Sequence, residues 1–243
     1  MAGILLIYIL GIYFLLTKMV QLEDEAVVEV EKTHKELSET THSSNEKAIQ
    51  YVASNMIKEA PKIAITFDDG PSPAWTPKLL DGLKERNVKA TFFLIGENAE
   101  NTPELVKRES EEGHLVGNHT YHHVEITRVP DETAKEEILM TNEVITGITG
   151  EEVSYMRPPF GAWQKKLEWE LDVMPVMWTI DPLDWTTNNE DEIVNKVVTQ
   201  AKENDIILLH DCYESSVNAA LRIVDILQKE GFEFVTVDEL IMN

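Results

Sequence analysis

From Pro61 to the C-terminus, short apolar runs alternate with longer stretches in which apolar residues recur every three or four positions. The runs Ile63–Phe67, Ala90–Ile95, Leu115–Asn118, Ser154–Arg157, Pro175–Ile180, Ile206–Leu209 and Phe232–Val237 read as buried strands. The helical stretches between them have legible ends. Thr102-Pro103 is a cap followed by proline at the first helical position, and Gly113 closes that helix. Asp131 caps a helix running to about Gly147, with Ile138 and Ile145 facing inward. Glu190–Ala201 and Val217–Glu230 complete the set, the latter stopped by Gly231.

Seven strands alternating with helices make βα units and hence a parallel sheet. Asp68-Asp69, His119, Arg157, Asp181 and His210 all fall at or just after the C-terminal ends of their strands. A closed barrel gathers several strand ends into one site, whereas an open doubly wound sheet collects ligands at a single switch point. The expected fold is therefore α/β, a distorted (β/α) barrel of about seven parallel strands.

The first sixty residues follow a different pattern. Gly3 to Leu16 contain neither charge nor proline, and Lys18 is the first charged side chain. With Met19 and Val20 the apolar stretch reaches about 17 residues, near the lower limit for spanning a bilayer. No basic n-region or small-x-small cleavage site marks a cleaved signal peptide, and no cysteine is there to carry a lipid. Residues 1–20 are expected to form an uncleaved signal anchor. Residues 21–60, with nine acids against four bases, read as an acidic spacer. A domain at 61–243 follows; Lys18, on the C-terminal side of the apolar stretch, argues weakly against an outward orientation, and its expected place outside a single-pass cell membrane rests on the function read below, with a secreted form if the N-terminal segment were cleaved.

Charge narrows the partners. Forty-four acids against twenty-one bases leave a net charge of -23, which argues against nucleic acid as a partner. The single cysteine, Cys212, excludes an intrachain disulfide and a multi-cysteine zinc site. It reads as a small packing residue close to His210.

Five polar blocks carry candidate chemistry: Thr66-Phe67-Asp68-Asp69-Gly70-Pro71, His119-Thr120-Tyr121-His122-His123, Arg157-Pro158-Pro159-Phe160-Gly161, Asp181-Pro182-Leu183-Asp184-Trp185 and Leu208-Leu209-His210-Asp211. Together they supply a metal site, a base, an acid and groups to orient them, the inventory of a metal-assisted hydrolase. Asp68 and Asp69 stand at a chain bend where both can reach one cavity, although Asp-Asp-Gly-Pro is also ordinary turn chemistry. His119 and His123, four apart, suit a shared ion, and His122 is a geometric alternative. Arg157 needs an anion, for which Asp68 is the natural candidate and a structural salt bridge elsewhere the rival. His210 is either a satisfied core histidine or a general acid with Asp181 or Asp211 beside it. Trp185 and Trp163 either wall a sugar-binding cleft or pack in the core.

The blocks TFDDGP, HTYHH, RPPFG, DPLDW and LLHD resemble, in order, the motifs of the polysaccharide deacetylase family, also described as the NodB homology domain or family 4 carbohydrate esterases. The resemblance covers Pro61 to the C-terminus. It implies that Asp69, His119 and His123 bind a divalent ion, zinc foremost with cobalt or another ion possible, and that Asp68 is the general base. It further implies that Arg157 holds Asp68, that His210 is the general acid and that Asp181 tunes His210. His122 falls at a variable position of the H-[ST]-x-x-H pattern. Phe160 replaces a frequent tyrosine, and its main-chain N–H would still serve the oxyanion; Pro159, Trp185 and Leu208 join it around the substrate. The implied reaction is removal of N-acetyl groups from a cell-wall polysaccharide, peptidoglycan first. O-deacetylation of xylan, deacetylation of chitin oligomers and a catalytically silent wall-binding module are the alternatives.

Overall fold

The computed structural model describes Lys18, residues 60–169 and residues 171–242. The expected anchor and spacer therefore lie outside the described residues, Lys18 and Ala60 excepted. Among the described residues, no helix is long and apolar enough to cross a membrane.

Strand β1 (Lys62–Asp68) is central. It pairs in parallel with β2 (Thr91–Leu94) on one side and with β6 (Ile206–His210) on the other. The sheet continues from β2 through β3 (Leu115–Asn118) and β4 (Tyr155–Met156) to β5 (Met174–Pro175), and β7 (Glu233–Phe234) pairs with the start of β1. Beyond β5 the chain leaves β4 and reaches the far edge, where Ile180 bridges Ile207. The sheet thus curls toward itself as a distorted, incompletely closed barrel. The long strand expected over Pro175–Ile180 is split because the segment serves two partners in turn. Val176 N–H donates to Met156, and Thr179 N–H donates to Ile206.

Seven helices are described: α1 (Thr76–Glu85), α2 (Gly96–Asn101), α3 (Pro103–Glu111), α4 (Asp131–Thr149), α5 (Glu190–Val198), α6 (Glu214–Lys229) and α7 (Val237–Ile241). Helix α4 ends at Gly150, in the left-handed region at φ 78°, rather than at Gly147. Helices α1, α2 and α7 were not among the sequence expectations. The last begins inside the expected strand Phe232–Val237, where Thr236 and Glu239 form a capping box.

The pleat sorts the core into two layers. Ile63, Ile65 and Phe67 point from β1 toward the helices and join the main core with Phe92, Leu94, Ile207 and Leu209. Ala64, Thr66 and Asp68 alternate with them and face the barrel interior. There Ala64, Phe93, Val176 and Val237 form a second, smaller cluster. The same parity along β6 turns Leu208 and His210 inward. A third cluster, built on Ile126, Ile138, Met156 and Leu167, lies under α4. Trp163 packs against it, so the reading of this tryptophan as a core residue is the one the structure supports.

Candidate active site

The interior face of the barrel is apolar at its floor and ionic at the C-terminal ends of the strands. Arg157 follows β4 and is 0% exposed. Its Nη1 donates to Thr66 Oγ1 at 2.7 Å and to Asp68 Oδ1 at 2.8 Å, while Nε and Nη2 donate to the carbonyls of Val176 and Met177 at 3.2 Å. The guanidinium lies 4.4 Å from the centre of the Phe93 ring. A buried charge this well partnered is held without freedom to turn. Burial pulls the Arg157 guanidinium below its ordinary value, and the charge of Asp68 works against that.

Asp69 follows with φ 71°, which turns its carboxylate away from the direction the next extended residue would take. The bend continues through Gly70, where a Cβ would come within 2.4 Å of Asp211 Oδ1; a side chain there would expel Asp211 or open the turn. Asp69 Oδ1 is buried without a hydrogen-bond partner. It stands 3.4 Å from Nε2 of His119 and 3.4 Å from Nε2 of His123, and the donor atoms of the three residues lie within 4.8 Å of one another.

Those imidazoles are set up as lone-pair donors. His119 Nδ1–H donates to the Arg157 carbonyl at 2.6 Å, which leaves Nε2 with its lone pair toward Asp69. Burial, the largest cause, lowers the pKa of His123 and so favours its neutral form. One orphaned carboxylate oxygen and two imidazole nitrogens, that of His119 oriented by the Arg157 carbonyl, suit a divalent ion of borderline softness, with positions left for water and substrate. The residues present fit a metal.

The short helix α2 holds both ligand-bearing loops. Asn98 Nδ2 donates to the Asp69 carbonyl at 2.8 Å, and the N–H groups of Gly96 and Glu97 donate to the carbonyls of Thr120 and Tyr121 at 3.0 Å.

His210 occupies the end of β6, where its Cα pairs in register with that of Asp68. Its Nδ1–H donates to Asp184 Oδ1 at 2.8 Å, and its main-chain N–H donates to Asp184 Oδ2 at 2.8 Å. Nε2 therefore faces the cleft, 3.9 Å from Asp69 Oδ2. Burial alone would lower the His210 pKa; the hydrogen bond and charge of Asp184, with help from Asp68 and Asp69, push it up to about 9.

This geometry corrects one expectation. The carboxylate on His210 belongs to Asp184, not Asp181. Asp181 instead accepts from the Leu183 N–H at 2.8 Å and lines the cleft wall. Leu183 sits at φ 57°, and the turn Asp184–Thr186 that follows swings the second aspartate of the block beneath the imidazole. Spacing alone does not separate the two acids of the block; the left-handed turn at Leu183 does. Asp211, the other candidate, is buried beside Thr76, whose hydroxyl it accepts; burial pushes its carboxyl up to about 7. Cys212 is half-buried and its thiol is pushed up to about 12, chiefly by burial.

A cleft of about 410 Å³ joins these groups. Its lining includes Asp68, Asp69, His119, His123, His210, Leu208, Phe160 and Trp185, all expected from sequence. It also includes Pro158, Trp178 and Tyr213, which were not. Pro159 is buried in the turn behind Phe160 and is not among the lining residues. Phe160, at φ 61° and 67% exposed, sits with its ring centre 4.9 Å from that of His123; Trp185 is 56% exposed. His122 turns away and pairs with Glu137.

Known proteins resemble this chain over most of the described residues. The family model described as polysaccharide deacetylase matches residues 55–176. The chain is 40% identical over 186 residues to the peptidoglycan-N-acetylglucosamine deacetylase of Bacillus cereus, covering 74% of this chain and 68% of that protein. Against the peptidoglycan-N-acetylglucosamine deacetylase PgdA of Listeria monocytogenes the identity is 37% over 219 residues, 87% of this chain but 46% of the longer relative. The structure of peptidoglycan deacetylase PdaC from Bacillus subtilis superposes with a TM-score of 0.73 at 38% identity, over 75% of this chain and 90% of that one. The chain belongs to the polysaccharide deacetylase family.

Proposed function

We propose that this protein removes the N-acetyl group from N-acetylglucosamine residues of a cell-wall glycan, peptidoglycan foremost, and releases acetate. The observation that carries the reading is the pairing of Asp68 with His210 at the ends of adjacent strands, in one cleft with the Asp69–His119–His123 cluster. One is an aspartate locked by a buried arginine. The other is an imidazole whose proton is held by a buried carboxylate. This is the arrangement that cleaving an amide between a water and an amine requires.

A divalent ion held by Asp69, His119 and His123, zinc foremost for this donor set, would supply Lewis-acid activation of water and of the acetyl carbonyl. The remaining work falls to side chains. Asp68 accepts the proton of the attacking water, and Arg157 keeps its carboxylate aimed at the cleft. The main-chain N–H of Phe160, a residue of the cleft wall, would serve the oxyanion that forms on the acetyl group, a contact worth about 3–4 kcal/mol in other enzymes. His210 then gives its Nε2 proton to the departing sugar nitrogen, without which the amine is a poor leaving group. Asp184 keeps the ring in the tautomer and charge state for that step. Leu208 floors the acetyl site, while Phe160 and Trp185 offer apolar faces to the sugar rings.

The wall substrate is supported by the names of the relatives at 37% and 40% identity, both peptidoglycan-N-acetylglucosamine deacetylases. We read residues 1–20 as the membrane anchor and 21–60 as the spacer that holds the catalytic domain outside the cell against that substrate. The test is acetate release by the full chain from N-acetylated peptidoglycan, with chelator and then with added zinc. Zinc-dependent release with new free amines is the expected result. Release from acetylated xylan alone would overturn the substrate. Protease accessibility of the catalytic domain on intact cells tests the orientation, and protection from protease would overturn it.

A further inference from the structure

We infer that Glu137, on α4, is a positioning residue for the metal-binding loop, acting through His122. The loop from His119 to Val124 is conformationally costly, because Thr120 at φ 59° and His123 at φ 56° both adopt the left-handed region without being glycine. Something outside the loop must hold it. At its start, Asn118 Oδ1 accepts from the Thr120 N–H at 2.7 Å, and Asn118 Nδ2 donates to Ile138 O and Asn142 Oδ1 on α4. At its far end, next to the ligand His123, the holding group is Glu137. Its Oε2 accepts from the His122 main-chain N–H at 2.8 Å, and its Oε1 accepts from His122 Nδ1 at 2.7 Å.

Two donors on one residue are thus taken by the two oxygens of one carboxylate, a forked contact that fixes orientation as well as distance. Glu137 is 7% exposed, so its charge is committed to this contact rather than to solvent. The third histidine of the block is accordingly the handle by which α4 grips the main chain beside His123. It serves the cluster without being one of its ligands.

This rests on Asp69, His119 and His123 being the metal site, and its test separates the two ideas. Zinc affinity of the full chain is measured by competition with a chelating dye, alongside amide hydrogen exchange of the metal-free protein. Glu137→Ala should weaken zinc about tenfold or more, the scale seen for groups that orient ligands, while kcat at saturating zinc changes less than threefold. Glu137→Gln and His122→Ala, each keeping an acceptor for or the donor of the main-chain bond, should fall between. Ile145→Val, a core change on the same helix, should leave zinc affinity unchanged. Unaltered affinity in Glu137→Ala, or equal loss in Ile145→Val, would overturn the inference. If the wild type binds no divalent ion, the metal reading fails. Faster exchange of the main-chain amide at position 122 in His122→Ala and Glu137→Gln would then still support the clamp, and unchanged exchange in both would sink it.

Discussion

Asp68 and His210 are register partners on neighbouring parallel strands, and both face the barrel interior. Their distance is therefore fixed by the sheet itself and not by a loop. Because parity along a strand is strict, moving either residue by one position would send it into the helix-facing core.

Removing the acid isolates its step. His210→Ala should lower kcat by about 10²–10⁴-fold, the usual contribution of a general acid, with zinc binding retained. Steady-state kinetics beside a zinc titration decide it; near-wild-type turnover would refute the role.

The partner of that acid sets a pH dependence. In the metal-free protein the His210 ring should titrate near pH 9, and Asp184→Asn should bring it down by more than one pH unit, as followed by NMR. The folded value is raised above the ordinary 6.5, so the stabilisation is fully present below about pH 6.5 and is lost as pH rises through about 9. Its size is on the order of 3 kcal/mol. The loss of stability between pH 6 and pH 10 in denaturant melts should be larger in the wild type than in Asp184→Asn by about that amount, since the titrations of Asp211 and Cys212 are common to both.

Arg157 offers a sharper contrast. Arg157→Ala leaves the buried Asp68 carboxylate without its charged partner and should cost about 3–5 kcal/mol of stability. Asp68→Asn removes one charge but keeps an acceptor for the guanidinium, so it should fold and bind zinc while losing about 10²–10⁴-fold in kcat. Thermal melts and kinetics of the two variants separate the structural from the chemical role.

Metal binding should be visible as stability. Zinc at one hundred times its dissociation constant should stabilise the wild type by about 2.7 kcal/mol. His119→Ala and Asp69→Asn should lose that increment, read by calorimetry with and without chelator.

Much of this site was legible in the chain because chemistry and periodicity coincided. The alternating runs ending in Asp68, Arg157 and His210 gave strand, face and end together. What was illegible was the path of short turns. Asp181 and Asp184 are both acids near a strand end, and a single left-handed residue, Leu183, decides which one reaches His210. Helix α2 is six residues long, too short for apolar periodicity to mark it. Tyr213 and Trp178 reach the cleft through the direction of loops, which hydropathy does not encode.

The six residues of α2 have a consequence for anyone re-engineering this scaffold. The carbonyls of Asp69, Thr120 and Tyr121 all hang from this segment, so it acts as a gauge between the carboxylate and the two imidazoles. A graft that carries the DDGP and HTYHH loops without Gly96–Asn101 would import the ligands and lose the spacing between them.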